Sequence, residues 1–128
     1  MSELTSNVSW LAVIIGFILS FLLGWLWYGP KAFGPKWAEG IGVKLGDASN
    51  MPMAAMGTQA LGTFLLSWLV GVTAAHNMLA TMILATLTLM VIMAGGGLFG
   101  KKSNYAIATE TGFVAAMVVI MVIVQAVF

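Results

Sequence analysis

Apolar residues fall in four long blocks separated by short polar breaks. The first, WLAVIIGFILSFLLGWLWY from Trp10 to Tyr28, runs 19 residues without a charge, enough to cross the roughly 30 Å hydrocarbon of a bilayer as a helix. Pro30 discourages the helix from continuing past the residue before it, so the first helix is predicted over about 9–28. The second block predicts a helix over about 54–75, with Ser49 or Asn50 as a cap ahead of Pro52. His76 and Asn77 interrupt the pattern for two residues only, which forces the second and third helices into a tight antiparallel hairpin. The third helix is expected over about 78–95, where Gly95, Gly96 and Gly97 either end it or let a neighbour press close. The last covers about 104–127. In the polar stretch 29–53, Trp37 and Ile41 lie four apart and fit a short interfacial helix over 35–43; an irregular loop fits equally. The expected fold is an all-α integral membrane protein, with four transmembrane helices in an up-down bundle and one domain over 1–128.

Composition sharpens this picture. Of 128 residues 61% are hydrophobic and 7% charged, far from the roughly 25% charge of soluble domains. The five basic residues are all lysines and the net charge is +1, which leaves no basic stripe for nucleic acid. The absence of cysteine excludes disulfides, thiolate metal sites and cysteine nucleophiles. The first apolar run follows no positive region and ends in bulky aromatics instead of a small-residue cleavage site, so it reads as a retained helix and not a signal peptide. Lys31, Lys36 and Lys44 lie between helices one and two, and Lys101 and Lys102 between three and four. The positive-inside bias then places loops 29–53 and 96–103 in the cytoplasm and both termini in the periplasm or outside the cell.

Small residues mark candidate helix contacts. Gly16, Ser20 and Gly24 recur every four residues, as do Ser67, Gly71 and Ala75, and Ala108, Gly112 and Ala116, the spacing that lets another helix backbone approach closely. Four helices are not expected to use every such face internally. Trp10 at one end of the first helix and Trp25, Trp27 and Tyr28 at the other, with Trp37 beyond, are expected as anchors at the membrane boundary.

Glu110 lies about seven residues inside the last helix, roughly 10 Å along its axis. Ionisable groups at such depth are costly and face protein or water. Gln59 enters the second helix from the same side, so Glu110 is expected to hydrogen-bond to Gln59 or to a neighbouring polar group, within a polar layer that includes Thr58, Thr109 and the three glycines. Two readings stay open for Glu110: a proton- or cation-coupled site, or a buried acid, neutral or paired with a lysine, that locks helix register. His76 reads as a polar turn residue. Met51, Met53 and Met56 could suit a soft metal, but the topology puts them opposite His76. The remaining methionines read as packing residues. No catalytic constellation, cofactor site or metal site is expected.

Asn7, Trp10-Leu11-Ala12-Val13, Gly24, Trp27-Tyr28-Gly29-Pro30, Phe33-Gly34 and Trp37 resemble the opening signature of small bacterial membrane proteins grouped as domain of unknown function 1761. Glu110-Thr111-Gly112-Phe113 is similar to the acid, small residue, glycine and aromatic that members carry further on. The resemblance implies a four-helix protein of the inner membrane and brings no activity, cofactor or catalytic residue. The functional expectation is therefore a non-enzymatic membrane protein acting through helix packing, in contact with the lipid bilayer, as a homo-oligomer or as an accessory subunit among other membrane proteins. The alternative is a small oligomeric transporter or channel that uses Glu110.

Overall fold

The computed structural model describes residues 4–28, 36–37, 39 and 53–128, with side chains in the last stretch described from residue 57. Among the described residues four long helices follow in order: α1 Trp10–Trp27, α2 Met53–Ala75, α3 Leu79–Phe99 and α4 Asn104–Val127. All four are long and apolar enough to cross a membrane. In lipid every backbone N–H and C=O must be satisfied within the segment, which leaves a helix as the form for such apolar runs. The three prolines, at 30, 35 and 52, lie outside the described residues. Lys36, Trp37 and Glu39 have helical backbone; the rest of the anticipated 35–43 helix, the caps at Ser49 and Asn50, and the side chains of Met51, Met53 and Met56 lie outside the described residues.

Serines cap two of the helices. Ser9 accepts from the Ala12 N–H at 3.3 Å and Ser103 from the Ala106 N–H at 3.0 Å, each satisfying one of the orphan donors of a first turn. Two helices end in the same way at their other end. The Met78 N–H bonds to the Thr73 carbonyl and the Asn77 N–H to the Ala74 carbonyl, with Asn77 at φ 56°. Lys102 and Lys101 repeat this on Gly97 and Leu98, with Lys101 at φ 59°. Both are Schellman ends, which close a helix and reverse the chain within two residues. The first makes the tight α2–α3 hairpin. The second ends α3 at Phe99, one turn later than the glycine triplet suggested, because Gly95 and Gly96 stay inside the helix.

The core is built around α4, which packs against all three other helices, whereas α1 and α3 make no extensive contact. Its buried positions, including Thr109, Phe113, Met117, Met121 and Val124, repeat at the three- and four-residue spacing of one helix face. The α1–α4 register is antiparallel: Gly16 meets Met121, Gly24 meets Phe113, and Trp27 bonds to Thr109.

Small residues set how closely the helices approach. A Cβ on Gly16 would lie 2.9 Å from Ser67 Oγ, and that hydroxyl donates to the Val13 carbonyl at 2.7 Å, tying α2 to α1. A Cβ on Gly24 would lie 3.0 Å from the Phe113 ring, and one on Gly71 would lie 2.8 Å from Val13. Ser20 is fully buried, and its hydroxyl has no hydrogen-bond partner among the described residues. Gly112 is half-buried beside Trp27 at an ordinary contact distance, Ala116 is half-buried and Ala108 is exposed. The bundle itself covers Gly16 and Ser20 of α1 and Ser67 and Gly71 of α2, while Ala108 of α4 is left exposed. Of the three adjacent glycines only Gly97 is pressed, by Ile107 of α4 and the stem of Lys102; Gly95 and Gly96 meet nothing within 4 Å.

Candidate functional site

At the lysine-bearing end of the bundle, the last residues of α1, the first turns of α4 and Trp37 come together around Glu110. Helix α4 delivers the carboxyl two turns in. Its oxygens accept from Lys102 Nζ at 2.8 and 3.0 Å and from the Trp37 indole N–H at 2.9 Å. Lys102 can reach because the Schellman end of α3 turns the chain back toward α4, and because Gly97 has no side chain to block the lysine stem. The carboxyl side is 18% exposed and the lysine side 36%, so the pair sits at the margin of the apolar interior and touches water on one side only. Such charge-assisted bonds are shorter and stronger than neutral ones.

Aromatic rings surround the pair. The Tyr28 ring meets Trp37 edge-on at 4.7 Å and Phe113 at 5.3 Å, and Trp27 lies 6.0 Å from Phe113. The Trp27 indole N–H donates to the Thr109 carbonyl at 3.1 Å. The Thr109 hydroxyl turns back to the Tyr105 carbonyl, and Lys36 stands 5.4 Å above the Tyr105 ring, within the range of a cation–π contact. Burial, with the Glu110 carboxylate adding to it, raises the Tyr28 phenol above its ordinary value of 10.0, so it stays neutral at physiological pH.

Glu110 therefore takes its partners from Lys102 and Trp37 and not from Gln59. Gln59 is exposed and lines a groove between α2 and α3. Thr58 is exposed as well, so the anticipated polar layer reduces to Thr109, Glu110 and Gly97; the lysine pairing open to Glu110 falls to Lys102, and the Trp37 indole joins it as a partner that no sequence signal indicates. Of the boundary aromatics, Trp25 is 75% exposed, whereas Trp27, Tyr28 and Trp37 are half-buried in the cluster. Trp10 belongs to the opposite end, 5.4 Å from Trp68, whose N–H holds the Leu4 carbonyl. His76 sits in the α2–α3 turn at that same far end. Among the described residues no group of three or more His, Cys, Asp or Glu could hold a metal.

The fold and this site define a multi-pass membrane protein of four helices, with an acid–lysine pair set among aromatic rings at one end. The chain belongs to the family described as "Protein of unknown function (DUF1761)", whose model matches residues 11–126. Trp27, Tyr28, Trp37, Glu110 and Phe113, which carry the resemblance in the sequence, are the residues that meet here. Comparison with curated proteins and with solved structures yields no match.

Proposed function

We propose that this protein works without catalysis as a helix-packing component of the cell's inner membrane, joined to a second copy or to another membrane protein as an accessory subunit. In this reading both termini lie outside the cytoplasm and the lysine-bearing loops inside. The observation that carries it is the outer face of α3. Leu84, Thr88, Val91 and Gly95 share one face by helical spacing; the first three are exposed and a Cβ on Gly95 would meet nothing within 4 Å. Thr88 satisfies its own hydroxyl on the Leu84 carbonyl, so the face presents small and apolar surface with no unmet polar group. Helix contacts within membranes favour such surfaces, because small residues let backbones approach. Gly95→Leu tests this. Among the described residues nothing obstructs the added side chain, so the chain should fold normally while its assembly is lost, read by native mass spectrometry of protein taken directly from membranes. A wild-type protein recovered alone, or an assembly indifferent to Gly95→Leu, would remove the basis for the proposal.

The transporter reading has one observation in its favour: the Glu110–Lys102 pair can be reached from the lysine-bearing end. Toward the far end the interior is filled by Phe113, Val114, Met117, Val118 and Met121, which is weak support for a pathway within one copy. A proton or cation flux in vesicles that disappears in a normally folded Glu110→Gln variant would favour transport over packing.

A further inference from the structure

Helices α2 and α3 part company on the lysine-bearing side of the bundle. The groove between them holds about 450 Å³, walled by Gln59, Leu66 and Leu69 of α2 and by Leu89 and Met93 of α3, with Met117 of α4 as its floor. That volume falls within the roughly 300–1,000 Å³ of small-ligand sites. From Gln59 to Leu69 the groove runs about 15 Å at 1.5 Å per residue, and half of a roughly 30 Å hydrocarbon is the same length. It opens two residues into the Gly57–Ala75 span of α2 and stops six residues short of its far end, and on α3 its wall lies from the middle of the helix toward the lysines. The groove thus has the length of one leaflet and does not cross the whole span. A partner helix would cross both leaflets, whereas an acyl chain ends at the midplane.

The mouth carries the polar groups. Gln59 is exposed there, and its side-chain amide has no hydrogen-bond partner among the described residues. An amide offers two donors and one acceptor, and leaving it unmet at the edge of hydrocarbon is costly; glycerol-ester and phosphate oxygens lie at that level. Lys101 follows α3 by two residues. It is exposed and makes no ion pair among the described residues, unlike Lys102, which Glu110 holds. An unpaired ammonium at the membrane surface attracts anionic headgroups.

We propose that this groove binds one anionic phospholipid of the lysine-side leaflet, with an acyl chain along the α2–α3 seam, the ester region at Gln59 and the headgroup phosphate at Lys101. Lipid tails are as apolar as leucine, so the walls set shape and the mouth sets selectivity.

The test uses the full chain in phosphatidylcholine vesicles doped with phosphatidylglycerol that carries a photoactivatable acyl chain. Adducts are expected on the peptides that contain Leu66, Leu69, Leu89 or Met93. Gly62 lines the groove and its Cβ would meet nothing within 4 Å, so Gly62→Phe fills the groove without touching the core. It should lower adduct yield about tenfold, equivalent to about 1.4 kcal/mol. Lys101→Gln leaves the groove intact and should abolish the preference for the phosphatidylglycerol probe over a matching phosphatidylcholine probe. Adducts spread evenly over the outward faces, yields unchanged by both variants, or cross-links from a photoreactive residue at Leu89 to a second protein chain would each overturn the proposal.

Discussion

Gly16→Ala should destabilise the bundle although alanine is the better helix former. The new methyl would lie 2.9 Å from Ser67 Oγ and 3.4 Å from Met121 Cγ. Ser67 cannot simply retreat, because its hydroxyl is buried and holds the Val13 carbonyl at 2.7 Å. Giving up that bond costs about 0.6–1.7 kcal/mol between membrane helices, and overpacking a closed contact costs about 1–3 kcal/mol. Against these stands a gain of about 0.8–1.0 kcal/mol from replacing glycine within a helix. The net is a loss of about 1–4 kcal/mol. Gly62→Ala is the matched control: it gains the same helical propensity and its methyl meets nothing within 4 Å among the described residues, so it should be neutral or stabilising. Unfolding both variants by denaturant titration in mild detergent, followed by tryptophan fluorescence, should separate them by about 2–5 kcal/mol, the sum of the two costs, since the helical gain is common to both. A Gly16→Ala protein as stable as Gly62→Ala would mean that α1 and α2 do not approach as closely as described.

Three further outcomes follow from single residues. Ser20→Ala should stabilise the protein by up to about 1 kcal/mol, since a buried hydroxyl without a partner carries a desolvation penalty of about 1–3 kcal/mol; a clear loss in the same titration would show that the hydroxyl has a partner after all. Lys101→Gly should stabilise the end of α3 by about 0.5–1 kcal/mol, because a left-handed conformation strains any residue with a Cβ, read as slower amide exchange at Lys102; faster exchange would contradict the turn. Cysteines placed at Ser2 and at Lys44 should react with an impermeant reagent from opposite sides of the membrane, and reaction from the same side would refute the orientation proposed from the lysines.

The helices and their order were legible because a membrane segment is written as a long apolar run, and the α2–α3 turn was legible because only His76 and Asn77 separate two such runs. Rotation of each helix about its axis was not. Most faces of these helices are apolar, so the pattern that orients a soluble helix is nearly absent, and Gln59 could be assigned to the Glu110 side when it faces α3. The glycine triplet misled for a related reason: glycine marks both helix ends and close contacts, and here only Gly97 makes a contact while the helix continues to Phe99. Trp37 and Glu110 each stood out in the sequence. Their pairing across 73 positions could not be read, since it depends on how Trp37 is carried to the first turns of α4.

Through that pairing Glu110 is the joint that ties Trp37, beyond α1, to the first turns of α4. A double-mutant cycle on unfolding free energy tests it directly. Trp37→Phe keeps a ring against Tyr28 and removes the indole N–H, and Glu110→Ala removes the acceptor. The hydrogen bond should appear as a coupling energy of about 1 kcal/mol, the scale of a net intramolecular hydrogen bond. If the two effects instead add within about 0.3–0.5 kcal/mol, as they do for independent sites, Trp37 and Glu110 do not meet and the joint does not exist.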